Sequence, residues 1–180
     1  MEMGYVEARW KHTQALERVK AKVDGIDALF GDYFGRSYGG QIEEYRCDDA
    51  EFVILTSGSA AGTAKTVVDV KRADGMKVGL VKQRLFRPYP EERLIQALQG
   101  KRAVGVIDRS IAFGWKYGPF AAELKTLSPR INNIPVLSYI DGLANLDITE
   151  EHIGRIIDDT AAAARGKPYQ EVTWIPMEEN

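Results

Sequence analysis

The chain has 180 residues, 44% of them hydrophobic and 28% charged. That profile fits a folded domain with a core large enough to need no disulfide or metal staple, and it excludes a disordered chain. Twenty-four basic residues stand against 26 acidic ones, for a formal net charge of −2, so the basic footprint of a nucleic-acid binder is missing. No stretch approaches the about 18 consecutive apolar residues of a membrane span. The single cysteine, Cys47, excludes an internal disulfide, a tetracysteine zinc site and an iron–sulfur cluster held by this chain alone. The start, MEMGYVEARW, has no basic-then-apolar signal pattern, which makes a cytoplasmic location the expectation.

From residue 5 to about 34, Val6, Trp10, Leu16, Val19, Val23, Ile26, Phe30 and Phe34 recur at helical spacing. An amphipathic helix is predicted, weakened near its end by Gly25 and Gly31. Residues 35–50 read as a connector, with Gly35, Gly39 and Gly40 in turns. From residue 51 the pattern alternates. Strands are predicted at 51–58, 76–86, 101–110 and 134–143. Helices are predicted at 63–75, 90–100, 117–128 and 149–166, with Val67, Val68 and Val70 on one side of the first. Pro90 suits a first helical turn, Thr149 an N-cap, and Gly75, Gly100 and Gly166 helix ends. Residues 171–175 read either as an edge strand or as a surface extension. Continuous apolar strands alternating with helices predict an α/β fold, a mainly parallel sheet covered on both faces. The expected division is 1–50 as helix and connector and 51–180 as the α/β domain.

The loop after the first predicted strand carries Gly58, Ser59, Gly62 and Thr63. Small residues and hydroxyls at a helix start can hold an anion at the carboxyl end of a strand. They equally make a tight strand-to-helix turn, and the spacing is neither Walker A nor GxGxxG. Arg84, Arg87 and Tyr89 follow the second strand, between Pro88 and Pro90. They read as a carboxylate or phosphate clamp, or as interface anchors on a stiff loop. Asp108 and Arg109 end the third strand, facing either a site or each other in a local salt bridge. His152, beside Glu150 and Glu151, reads as a solvated helix end, and His12, in the amphipathic helix, has no obvious carboxylate partner. Neither has metal-site spacing. Cys47 lies beside Asp48 and Asp49, whose charge raises a thiol's pKa. No catalytic residue and no metal ligand is assigned.

Six segments together resemble the α-subunit of 2-oxoacid:ferredoxin oxidoreductases, most closely the pyruvate type. They are FGRSYG at 34–39, EEYRCDDAE at 43–51, GSAAGTAK at 58–65, GLVKQRLFRPYP at 79–90, DRSIAFG at 108–114 and DGLANLDIT at 141–149. The similarity covers the part of that subunit that resembles the transketolase C-terminal domain. It implies a three-layer α/β/α sandwich, mostly parallel with one antiparallel edge strand, carrying an N-terminal helical extension. It further implies a structural or assembly role in a complex that converts a 2-oxoacid and coenzyme A to acyl-CoA and carbon dioxide while reducing ferredoxin. Thiamine diphosphate, magnesium, iron–sulfur clusters and coenzyme A would belong to the complex, with none bound by this chain alone. The partners implied are the other subunits or domains and, through them, ferredoxin, with no nucleic acid and no membrane. Where the family has glycine–leucine–glycine–glycine–arginine–aspartate, this chain has Gly142, Leu143, Ala144, Asn145, Leu146 and Asp147. The alternative role is a stand-alone module for a phosphate-bearing ligand such as coenzyme A. A subunit role predicts exposed aromatic surface, with Trp10, Trp115, Tyr117 and Trp174 as candidates.

Overall fold

The computed structural model describes residues 2–177. Helix α1 (Glu2–Phe34) comes first and runs through both Gly25 and Gly31. Strand β1 (Ile42–Tyr45) is followed by β2 (Phe52–Thr56), α2 (Ala60–Ala73), β3 (Val78–Gln83) and α3 (Glu91–Leu98). Then come β4 (Val104–Asp108), α4 (Pro119–Thr126), β5 (Val136–Ile140), α5 (Glu150–Ala164) and β6 (Val172–Trp174). The six strands form one sheet in the order β1-β3-β2-β4-β5-β6. β1 pairs antiparallel with β3, and every other pairing is parallel.

The residues of each strand alternate between two cores, as the two-residue period of a strand requires. Phe52 and Ile54 of β2, with Leu137 and Tyr139 of β5, pack under Val67 and Val68 of α2 and Ile153, Ile156 and Ile157 of α5. Val53 and Leu55, with Val104 and Val106 of β4, pack under Leu94 and Leu98 of α3 and Leu124 of α4. Burial on both faces explains why these strands read as unbroken apolar runs. The architecture is the three-layer α/β/α sandwich.

Three local readings differ from the sequence expectation. The stretch 35–50 supplies the antiparallel edge strand. Its residues lack the apolar signature because Glu44 meets water at the sheet edge, while the largely buried Glu43 is paired by Lys65 and Lys82. Val70 faces solvent while Val67 and Val68 are buried, since a step of two residues turns a helix side chain about 200°. Pro90 stands just outside α3 as its N-cap. Thr149 caps α5 as expected, its Oγ1 accepting the His152 N–H at 3.1 Å.

α1 lies outside the two cores, held mainly by polar contacts. Asp24 accepts the Gln41 N–H and side-chain amide, and Asp27 takes Arg84. The exposed residues Ile26, Leu29 and Tyr33 sit three and four positions apart on the helix and form a stripe the domain does not cover.

Candidate functional site

β2 and β4 are neighbours whose chains turn to opposite faces of the sheet. β2 leads into α2 on one face and β4 leads towards α4 on the other. That reversal opens a crevice at the carboxyl ends of the strands, where open α/β sheets bind ligands. Two adjoining hollows occupy it. One, of about 220 Å³, lies between Thr56, Gly58 and Ser59 on one side and Asp108, Arg109 and Phe120 on the other. The second, of about 170 Å³, is lined by Ser59, Thr63, Arg109, Asp147 and Ile148.

The loop Gly58–Thr63 starts α2 as its spacing suggests. Gly58 has φ +61°, a left-handed conformation that glycine adopts freely. Ser59 is the N-cap, its side chain making no capping hydrogen bond, and its carbonyl accepts the Gly62 N–H at 2.9 Å. α2 has no acidic residue in its first turn, so the positive end of its dipole faces the hollow uncompensated from within the helix. Lys65 turns away to pair with Glu43 at the far edge of the sheet.

Asp108 and Arg109 diverge. No salt bridge joins them. Asp108 is 1% exposed, and its carboxylate accepts the N–H groups of Phe120 and Ala121, at 2.9 and 3.0 Å. It thereby supplies the cap that α4 lacks locally. Burial pushes this carboxyl up to about 6, against the lowering pull of the two amides. Arg109 lines both hollows and donates through Nε to the Gly142 carbonyl at 3.1 Å. Gly142 has φ +67°, and a Cβ there would meet Ile148 and Arg109 at 2.7 and 2.9 Å.

Arg84, Arg87 and Tyr89 all engage their own chain. Arg84 bonds Asp27 and the Gly40 carbonyl, each at 3.0 Å, and lies over the Tyr38 ring. Arg87 pairs with Glu123 and stacks on Phe86. Tyr89 packs against the α3–α4 core, and burial raises its phenol. The two arginines engage different partners, Arg84 with Asp27 of α1 and Arg87 with Glu123 of α4.

Two features escaped the sequence. His152 is partly buried, with Nδ1 3.0 Å from Oδ2 of the fully buried Asp141. The flanking Glu150 and Glu151 disguised it as a solvated end. Glu171 gathers Lys116, Lys125 and the Tyr117 hydroxyl, and these three hydrogen bonds lower its carboxyl to about 2. Tyr117 is accordingly buried, at 7% exposure, and leaves the set of surface aromatics. Trp10 and Trp115 are each 61% exposed, Trp174 is 37% exposed and Phe113 is fully exposed. The Cys47 thiol is raised to about 11, chiefly by burial and next by Glu44, so the residues responsible are not the adjacent aspartates. Among the described residues, no group of three His, Cys, Asp or Glu is placed to hold a metal ion, and no helix is long and apolar enough to cross a membrane.

Comparison with known proteins places this geometry in context. The pyruvate:ferredoxin oxidoreductase core domain II family matches residues 50–153. The α-subunit of an NADH-dependent phenylglyoxylate dehydrogenase from Aromatoleum evansii is 42% identical over 90% of this chain and 39% of its own length. The pyruvate synthase subunit PorA of Methanosarcina barkeri is 36% identical over 97% of this chain and 44% of its own. The ketoisovalerate oxidoreductase subunit VorA of Pyrococcus horikoshii is 35% identical over 96% of this chain and 44% of its own. This chain therefore spans less than half the length of these relatives.

Proposed function

The chain belongs to the pyruvate:ferredoxin oxidoreductase core domain II family, and from that premise we propose that it is a structural and assembly subunit or domain of a 2-oxoacid:ferredoxin oxidoreductase. The complex would oxidatively decarboxylate a 2-oxoacid with coenzyme A, giving acyl-CoA and carbon dioxide, and pass the electrons to ferredoxin. One observation carries the reading: similarity over nearly the whole of this chain to part of subunits whose names specify pyruvate, ketoisovalerate and phenylglyoxylate. All three compounds carry a keto group beside the carboxylate. A 2-oxoacid of this class is the proposed substrate.

We assign this chain a non-catalytic role within that complex. One buried, raised thiol is unsuited to holding an iron–sulfur cluster. Thiamine diphosphate, magnesium, the clusters and coenzyme A are assigned to the other subunits or domains, and the assembly to the cytoplasm. The exposed stripe of α1 and the aromatic residues Trp10, Phe113 and Trp115 supply the kind of surface a partner covers. Immunodepletion of the chain from an extract of its source tests this. Ferredoxin reduction dependent on 2-oxoacid and coenzyme A is expected to disappear with it, and activity left in the supernatant would overturn the proposal.

A second reading rests on the hollow that Arg109 shares with Ser59 and Thr63. A guanidinium beside a helix N-terminus and two hydroxyls suits one phosphate group, which would make the chain a binding module for a ligand such as coenzyme A. Calorimetry with coenzyme A decides it: binding that Arg109→Ala abolishes supports the module, and no heat at millimolar ligand removes it.

A further inference from the structure

α1 is 33 residues long, about 50 Å at 1.5 Å per residue, and the domain supports only part of it. Residues 4–15 are all exposed. Further along, the polar contacts with the domain come from one side of the helix. Lys20 reaches Glu92, Asp24 takes Gln41 and Arg93, and Asp27 takes Arg84. Among the described residues, none of α1 belongs to either core. An isolated helix of about 12–15 residues is marginal in water, and packing of an apolar face supplies most helical stability.

The sequence of α1 says what kind of surface would supply it. Leu16, Val19, Val23, Ile26, Phe30 and Tyr33 follow at steps of three, four, three, four and three. That alternation is the seam of a coiled coil, and it keeps one stripe against a partner helix. His12 and Tyr5 continue its rows towards the N-terminus at steps of seven. Ile26 is 66% exposed and Tyr33 is 82% exposed. Beside the stripe, Val23, Ile26 and Phe30 line a groove of about 350 Å³ with Tyr38 and Arg84, with room for apolar side chains of a second helix. The edge of the stripe turned away from the domain carries Arg18 and Lys22, one turn apart and exposed. Among the described residues neither is in an ion pair, whereas Lys20 is held by Glu17 and Glu92. Asp32, the acidic residue on that side, lies ten residues beyond Lys22, about 15 Å along the helix.

We propose that this seam docks a helix of another subunit or domain of the complex, one with its own 3–4 apolar stripe and with carboxylates where it passes Arg18 and Lys22. The proposal deepens the assembly reading above and rests on it. A second copy of this chain fits the seam poorly. In an antiparallel pair, the faces of Lys20 and Asp27 that carry the two domains fall on the same side. With helix axes about 8–10 Å apart, the domains would overlap. In a parallel pair in register, Arg9 stacks on Arg9 and His12 on His12. Lys22 then meets an Asp27 already buried under four donors. The relatives carry more than half of their length beyond the matched region, which gives the required helix a source.

The test uses the full chain and two designed peptides of about four heptads. Both carry leucine and isoleucine on the stripe, flanked by glutamate in one and by lysine in the other. In a nuclear magnetic resonance titration the glutamate peptide is expected to shift the amides of Val19, Val23 and Ile26. It should bind at least about tenfold tighter than the lysine peptide. Ile26→Glu alters an exposed side chain, should keep the fold by circular dichroism, and should weaken binding at least about tenfold. Arg18→Glu and Lys22→Glu together should reverse the preference between the peptides. The inference is overturned by absence of shifts at these amides up to about 1 mM glutamate peptide or by equal binding of the two peptides. An unreversed preference in the double variant overturns it too, as does sedimentation of the free chain as a dimer that Ile26→Glu splits. Membership in the oxidoreductase is tested separately by native mass, so either claim can fail alone.

Discussion

Asp27 and Arg84, 57 residues apart in sequence, meet at 3.0 Å and pin the end of α1 to the loop after β3. The same carboxylate accepts the Ser37 hydroxyl and the N–H groups of Tyr38 and Gly39. It is a buried acceptor serving four donors, so its removal strands them. Asp27→Ala is expected to cost about 2–3 kcal/mol in urea unfolding and to speed hydrogen exchange at Tyr38 and Gly39. Its pKa is lowered, first by the Ser37 hydrogen bond and then by the Tyr38 amide and Arg84. The stability it contributes is therefore complete above the unfolded carboxylate pKa of about 4 and is lost as pH falls through the lower folded value.

Asp108 works in the opposite sense. Its carboxyl titrates at about 6 when folded and at about 3.9 when unfolded. Between these values the folded chain keeps a proton that the unfolded chain has released. This group's contribution to stability therefore falls as pH rises from about 4 to about 6, by up to about 3 kcal/mol, and is level above that. Denaturation curves collected across that window should lose this slope in Asp108→Asn. A Cβ at Gly118 would come within 2.2 Å of the Asp108 Cβ and Cγ. Gly118→Ala should accordingly cost at least about 2 kcal/mol in the same measurement.

Gly142 shapes the wall of the crevice. Its φ of +67° and the space filled by Ile148 and Arg109 both exclude a side chain. Gly142→Ala should destabilise by about 1–3 kcal/mol and break the Arg109 bond to its carbonyl. The Arg109 Nε–H resonance reports that loss.

The surface aromatics give an optical prediction. Trp10 and Trp115 are exposed in the isolated chain, so acrylamide should quench most of its tryptophan emission. Trp10→Phe and Trp115→Phe should each remove part of the quenchable signal. In the assembled oxidoreductase the same residues should be shielded if they form the contact surface.

How much of this was legible depended on the distance over which each signal acts. The Thr149 cap and the four central strands were readable because capping and apolar runs are local. β1 was missed because Ile42–Tyr45 is a four-residue edge strand carrying two glutamates, inside a glycine-rich stretch. Gly58, Ser59 and Thr63 were readable as a helix start, and the order of the strands then placed Arg109 opposite them. The pairs Asp27–Arg84 and Asp141–His152 depend on tertiary folding, and no spacing rule reports them. Tyr117 looked like surface from its glycine-rich loop, yet Glu171, 54 residues later, draws its hydroxyl inward.

The central claim is membership in a larger oxidoreductase, and the native mass and visible absorption of the protein purified from its own source test it most directly. A large brown complex that reduces ferredoxin when given a 2-oxoacid and coenzyme A is the predicted result. A colourless particle of one or two copies of this chain, with no other polypeptide, would contradict it.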